Sequence, residues 1–498
     1  MHNAPTAIAD WIIVLPVVLG IMGGAVLLML RAFTRIQPWI TAVLLLVILI
    51  ADAALFGRVS TVGPMAMTMG NWLPPFGISF VADVLGAGFA LVAAFTALVV
   101  VVYLQMDTPE TARRDGLYPL VLLLVAGVHG AFLTGDIFNL YVWFEVTLIS
   151  TFGLMVLAGG PLQLDGAVKY GILNFLATSL FLLGLGLLYG LLGTLNMADI
   201  VRVAPGADSS SLTSVAALLM LAFGIKAAAF PVNAWLPAAY HTPPPAISAL
   251  MAGLLTKVGA YALLRTLVFL FPDALVRLEP VVLAAAVATM LLGALGAIAE
   301  TNLRRALGFM LIGGIGIMLA ALAWPSERAI AGAALYGVHA MLTVTALYLV
   351  AGLVEKGMAK GGVMSAVLLV LLLSISGVPP FLGFWPKLVL LQGLFQGSDF
   401  VHVTKSPDWR AIVLVVTVLL NGLLTLIAGI RFWIRLYWKQ EPATSTAGSL
   451  SGIGSVLVLT AFCFVIGLWP NRLIESALLA ANGLVNPAPY VETVGLAP

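Results

Sequence analysis

Residues 217–265 read ALLMLAFGIKAAAFPVNAWLPAAYHTPPPAISALMAGLLTKVGAYALLR. Two apolar spans are joined by a short turn laden with proline, and each span carries one interior lysine, Lys226 and Lys257. An ammonium near a bilayer centre costs about 2.5–3.5 kcal/mol on insertion scales, so an intramembrane lysine is a functional candidate by default. Pro231 lies inside the first span. It removes a backbone N–H and frees the carbonyl of Ala227, which loosens the helix just after Lys226. Broken helices at membrane depth persist only where protein or a water-filled cavity satisfies the freed groups. A buried cation beside a helix break therefore reads as a piece of an ion path.

The rest of the chain has the same character. Its 498 residues are 62% hydrophobic and 9% charged, with mean hydropathy +1.12, which excludes a soluble globular protein and a disordered one. Apolar runs of about 20 residues recur, each long enough to cross a hydrocarbon core of about 30 Å. Fourteen spans are expected, near 11–30, 38–56, 77–104, 117–134, 138–158, 169–192, 213–235, 246–271, 280–299, 306–323, 330–354, 363–397, 410–435 and 451–469. The seventh is broken at Pro231 and the twelfth at Pro379 and Pro380, with Pro386 following. The expected fold class is an all-α polytopic membrane protein. A net charge of +2 is too small to suggest nucleic-acid binding. Cys463 stands alone, so neither a disulfide framework nor a thiolate metal site is expected. The N-terminus lacks a cationic region and a small-residue cleavage site, so the first run reads as a retained span. There is no Gly-rich phosphate loop and no histidine pair at haem or metal spacing, and no cofactor is expected.

Lysine and arginine in the short loops set the expected orientation. With the N-terminus outside, inner loops hold twelve of them, Lys360 and Lys439 included, against seven outside, Lys405 included. Both termini are expected outside. A weak internal symmetry also points to transport, since transporters place discontinuous helices at matching positions of two repeats. GIKAAAFPVNAWLP around Lys226 and SGVPPFLGFWPKL around Lys387 each combine a break, a tryptophan–proline element and one lysine. Their separation is 161 positions (387 − 226), about five spans. The chain divides accordingly into 1–116 (spans one to three), 117–271 (spans four to eight), 272–435 (spans nine to thirteen) and 436–498 (the last span and tail).

The charges inside the spans carry the chemistry. GDIFNLYVWFEVTLISTFGLMVLAGG, residues 135–160, places Glu145 about two and a half turns beyond Asp136. Burial brings carboxylate and ammonium groups toward a common range in which they exchange protons. A glutamate and a lysine facing each other share that burden, and separating them changes the proton affinity of both. The competing reading for Glu145 and Lys226 is a static ion pair that locks two helices. For Lys257 it is snorkelling toward an interface, and for Lys387 an interfacial anchor. His339, in YGVHAMLTVTALYL, is either a satisfied structural histidine or a proton shuttle. His129 and His241 lie nearer span ends, where structural roles weigh more. Asp136 and Asn139 read as caps of the turn into the fifth span.

TGDIFNLYVWFEVTLIS, FGIKAAAFPVNAWLPAAYHTPPPAISALMAGLLTKVGAYALLR and SGVPPFLGFWPKLVLLQG are long and specific motifs. In them the chain resembles the proton-conducting membrane transporter family. That family includes the antiporter-like subunits of respiratory complex I and the large subunits of Mrp-type multisubunit sodium/proton antiporters, and the resemblance is nearest to the D-type of those large Mrp subunits. It covers nearly the whole chain. It implies fourteen helices with two inverted five-helix units. It implies a mid-membrane polar axis through Glu145, Lys226, Lys257, His339 and Lys387. It also implies Mrp partners of the A, B, C, E, F and G types, protons and sodium as the transported ions, and a prokaryotic plasma membrane. Two departures stand out. Where relatives often carry a lysine soon after the eleventh-span histidine, this chain has Thr343, Val344 and Thr345. Where relatives often carry a tenth-span histidine, RRALGFMLIGGIG offers Met310. Water and threonine hydroxyls are then the groups available to bridge Lys257 to Lys387. The rival readings are a proton-pumping subunit of a redox complex and a purely structural membrane subunit.

Overall fold

The computed structural model describes residues 8–72, 74, 76–157, 159–359, 361–396, 408–438 and 450–495. Lys360, Lys405 and Lys439 of the charge tally lie outside the described residues. The helices are α1 (Leu15–Met29), α2 (Gln37–Val62), α3 (Val84–Asp107), α4 (Leu117–Leu133), α5 (Ile137–Val156) and α6 (Pro161–Leu192). Next come α7 (Ser209–Ala227, resuming as Trp235–Tyr240) and α8 (Pro245–Leu263, running into a π-helical stretch Leu264–Leu270). Then follow α9 (Pro272–Ala299), α10 (Leu303–Ala323), α11 (Glu327–Glu355) and α12 (Gly362–Ser376, resuming as Phe384–Gln396). The last are α13 (Trp409–Tyr437), α14 (Leu450–Leu468), α15 (Asn471–Val485) and α16 (Ala488–Thr493). Among the described residues, eleven helices are long and apolar enough to cross a membrane, and α1, α4 and the two halves of α12 are shorter apolar helices.

The expected helical fold carries one short hairpin besides. Between α2 and α3, β1 (Met65–Thr68) pairs antiparallel with β2 (Ser79–Ala82), in the register Met65 to Ala82. The hairpin gathers both described ends of the chain on one face. The N-terminal turn Ile8–Ile13 packs on β1, and Thr493 of α16 hydrogen-bonds to the carbonyl of Pro64 at 3.3 Å. Two helices also start earlier than hydropathy suggested. α6 begins at Pro161 with an exposed Asp165–Lys169 pair, and α9 begins at Pro272 and runs through Pro280. A polar first turn at a membrane surface dilutes the apolar signal without stopping the helix.

Burial separates inner helices from outer ones. The most apolar window of α8 is 100% buried and that of α10 94%, against 33% for α2 and α6. Glycine permits the closest approach. A Cβ on Gly259 of α8 would sit 2.7 Å from the backbone nitrogen of Ala227 in α7, so only glycine fits there.

Near the hairpin face, α8 carries Arg265, 2% exposed, at the start of its π-helical stretch. Its Nη2 donates to Asp83 Oδ2 at 2.5 Å and to the Tyr261 hydroxyl at 3.1 Å. Asp83 also caps α3 by accepting from Gly86 N at 2.8 Å. Removing one member of such a pair leaves the other charge buried and uncompensated. Asp83→Ala is therefore expected to destabilise the protein by about 3–5 kcal/mol. A thermal melt of the detergent-solubilised protein that matches wild type would show the pair to be expendable.

Candidate functional site

Helix α7 ends because its chain cannot continue. Ala228 adopts a left-handed conformation (φ 60°, ψ 43°), the one positive φ outside glycine among the described residues. Such a residue costs roughly 1–2 kcal/mol, so the surroundings must hold it there. Pro231 lies in the middle of the interruption, between helical stretches that end at Ala227 and resume at Trp235. The freed backbone groups have named partners. Trp235 Nε1 donates to the Ile225 carbonyl at 3.1 Å, and Phe230 N donates to Thr289 Oγ1 of α9 at 3.0 Å. The break in α12 is built alike: Gly377 is left-handed (φ 86°), and Pro379 and Pro380 follow it. Gly383 N donates to Ser374 Oγ at 3.3 Å, and Trp385 Nε1 donates to the Gly467 carbonyl at 2.7 Å.

The two lysines sit on opposite sides of their breaks. Lys226 is in the last turn before the first, and Lys387 is in the first turn after the second. Lys387 Nζ donates to the Ser376 carbonyl at 2.7 Å and to the Ile375 carbonyl at 3.4 Å. An ammonium thus neutralises the negative end of the first half of α12. That replaces the interfacial-anchor reading, since Lys387 is buried. Lys257 is deeper still; its Nζ donates to the Ala252 carbonyl of its own helix at 2.6 Å. The direction follows from geometry, because helical side chains lean toward the N-terminus. It does not reach an interface by snorkelling.

Lys226, Lys257, His339 and Lys387 are 7%, 0%, 0% and 7% exposed. The expected pairing of Glu145 with Lys226 needs a correction. The two interact through space, but no contact within 4.0 Å joins them, and Lys226 Nζ instead lies 5.1 Å from the centroid of the Phe144 ring. Glu145 is half-buried, with Tyr141 and Tyr170 as its other electrostatic neighbours. No direct ion pair between Glu145 and Lys226 therefore joins α5 to α7. Among the described residues, Lys169 and Lys356 pair with Asp165 and Asp107, whereas the three buried lysines have no carboxylate partner within 4.0 Å.

His339 of α11 lies against the α12 break. Lys387 and Lys257 are the charged neighbours that act on it. Its Nδ1 and Thr343 Oγ1 share a hydrogen bond of 3.1 Å, and its Nε2 is buried without a partner. That nitrogen faces the α12 break, for a Cβ added to Gly383 would lie 2.8 Å from it and would overlap the Ser374 carbonyl. Gly383→Ala is accordingly expected to force the break apart and to destabilise the protein, read as a lowered melting temperature of the detergent-solubilised protein. A melt that matches wild type would mean that the packing of His339 on the break is irrelevant. Of the two threonines expected to bridge, Thr343 meets His339. Thr345 does not; its hydroxyl is taken by the carbonyls of Met341 at 2.6 Å and Ala249 at 3.4 Å.

The remaining candidates fall elsewhere. Asp136 caps α5, accepting from Asn139 N at 2.8 Å, and the Asn139 amide donates to Thr134 at 3.0 Å. His241 ends the second half of α7, its Nδ1 on the Pro237 carbonyl at 2.8 Å. His129 forms a pair that sequence reasoning missed: its Nε2 lies 2.8 Å from Asp52 Oδ2 of α2, with both side chains fully buried. Because Nδ1 donates to the Val125 carbonyl at 2.8 Å, one proton lies between ring and carboxylate, and the pair is neutral either way. The signal was available, since Asp52 interrupts the apolar run ILIADAALF. Arg265 and Asp83 were missed likewise. No group of three or more potential metal ligands is present among the described residues.

Residues 134–406 match the family model described as NADH:quinone oxidoreductase/Mrp antiporter, TM. The chain is 31% identical to the D subunit of the Na(+)/H(+) antiporter of Alkalihalophilus pseudofirmus, and 32% identical to that of Bacillus subtilis. Each alignment covers 97% of this chain and 99% of the relative. A probable D subunit of a K(+)/H(+) antiporter of Rhizobium meliloti is 30% identical, with 98% of each chain covered. Among solved structures, a chain of the Mrp complex from a Dietzia species superposes with a TM-score of 0.88 at 27% identity, covering 98% of this chain and 100% of that one. A chain of respiratory complex I from Thermus thermophilus, at 21% identity and a TM-score of 0.79 over 95% of this chain, shows the shared fold.

Proposed function

Because the chain belongs to the NADH:quinone oxidoreductase/Mrp antiporter transmembrane family, we propose that it is the D-type, proton-translocating subunit of a multisubunit Na+/H+ antiporter. It is a multi-pass membrane protein and a transporter subunit rather than an enzyme. It works with the other Mrp membrane subunits, exchanging sodium leaving the cell for entering protons. The membrane is the prokaryotic plasma membrane, with both termini outside. The five-helix units 117–271 and 272–435 each contribute one broken helix to the path.

One observation carries the reading: three buried lysines, two of them flanking helix breaks, have no carboxylate within ion-pair distance among the described residues. Structural lysines inside a protein are normally neutralised by a partner. An ammonium kept there against a cost of about 2.5–3.5 kcal/mol needs another reason, and reversible proton binding supplies one. The path runs from Glu145 to Lys226, across the α7–α8 contact to Lys257, then through His339 to Lys387. The α12 break supplies the carbonyls of Ser376 and Ile375 to Lys387, and α8 supplies that of Ala252 to Lys257, which stabilise these ammonium groups while they are charged. Glu145→Ala and Lys226→Ala, carried in assembled complexes in everted membrane vesicles, test this. Sodium addition is expected to leave the pH gradient untouched in both variants. Full antiport in both would remove the path.

A further inference from the structure

A site of a different kind lies at the opposite face from the hairpin, where the ends of α9 and α13 meet. We propose that it binds the phosphodiester headgroup of an anionic phospholipid. A cavity of about 440 Å³ is lined there by Ala297, Glu300, Thr301, Ala428, Arg431 and Arg435 among others. Arg431 Nη1 donates to the Ile298 carbonyl at 2.7 Å, and Arg435 Nη1 donates to the Thr301 carbonyl at 3.3 Å. The Ile298 carbonyl belongs to the last turn of α9, where carbonyls lack a partner within the helix. Each contact uses one of the five N–H groups of a guanidinium. Neither arginine has a carboxylate within 4.0 Å among the described residues, and Glu300 at the rim is taken by Arg305 at 3.0 Å.

The depth suits a lipid phosphate. Trp433 and Tyr437 lie on the last turns of α13 and the exposed Trp438 caps them, as in an interfacial aromatic belt. Trp433 Nε1 donates to the Ser365 carbonyl at 3.0 Å and the Tyr437 hydroxyl to the Ala359 carbonyl at 2.9 Å, which fixes that belt to α12 and the loop before it. Deeper along the two helices, Leu292 and Leu295 of α9 and Leu423 and Ile427 of α13 are exposed. They offer walls for acyl chains below the arginines. Two guanidiniums one helical turn apart, uncompensated among the described residues, match a phosphodiester in charge and in hydrogen-bonding geometry.

The test is native mass spectrometry of the whole complex, delipidated and then incubated with vesicles of equal phosphatidylglycerol and phosphatidylethanolamine. Wild type is expected to retain phosphatidylglycerol selectively. R431Q/R435Q keeps donors for the Ile298 and Thr301 carbonyls and is expected to bind it roughly thirtyfold more weakly, about fivefold for each basic residue at a membrane surface. R431K/R435K keeps the charge and is expected to retain part of the selectivity. Unchanged retention in the glutamine variant would overturn the site. So would displacement of the lipid by millimolar inorganic phosphate alone. Loss of assembly with unchanged lipid would overturn it in favour of a neighbouring subunit's carboxylates. The readout is bound lipid, so a failed proton path leaves it standing.

Discussion

Lys226→Ala is expected to lower antiport by about a hundredfold, the lower end of what a positioned proton-transfer group contributes. Lys226→Arg, which keeps the charge, is expected not to restore it. Arginine stays protonated in proteins, so it can hold a positive charge at the α7 break but cannot release a proton there. A static role has the opposite signature. If the ammonium only organised Glu145 and the break, a guanidinium at the same depth would recover much of the function. The geometry makes the distinction sharp. With no contact within 4.0 Å between Lys226 and Glu145, arginine breaks no ion pair on entering. The measurement is sodium-dependent dissipation of a pH gradient in everted vesicles, with assembly checked by co-purification. Recovery above half of wild type by arginine would sink the relay at this position.

How much of this was legible in the sequence differs from residue to residue. Lys226, Lys257 and Lys387 announced themselves because a charge in an apolar run has a known cost and proline marks a break. What each lysine touches was not legible. Lys257 turns back on its own Ala252 carbonyl, and Lys387 caps the half-helix before the break. Pairs distant in sequence escaped altogether: Asp52 is 77 residues from His129, and Asp83 is 182 from Arg265. Nothing local assigns such partners, because the topology that brings α2 to α4 and α3 to α8 is set by packing of many apolar faces. The strands were too short to show alternation against an apolar background. α15 did carry a signal, since NRLIESALLAANGLV spaces its apolar residues three and four apart, but its polar face kept it below the threshold for a span.

Lys257→Met is expected to yield a protein that is more stable and inactive. Methionine is flexible and close to lysine in length, so it fills the site in α8 without a cavity. What is lost is one hydrogen bond to a carbonyl that already belongs to the α8 ladder. What is removed is a fully buried ammonium without a carboxylate partner among the described residues. Insertion scales put the cost of that charge at about 2.5–3.5 kcal/mol, against about 1.5–3 kcal/mol for a charged hydrogen bond. The balance favours methionine by on the order of 1 kcal/mol, visible as a raised melting temperature of the purified protein. Transport should nevertheless fail, because the proposed path places Lys257 between Lys226 and His339. The pairing of the two outcomes is the point. A lysine kept for packing or pairing would destabilise when replaced, as Asp83→Ala is expected to do by stranding Arg265. A variant both less stable and less active would return Lys257 to the structural class, and a variant that still transports would take it off the path.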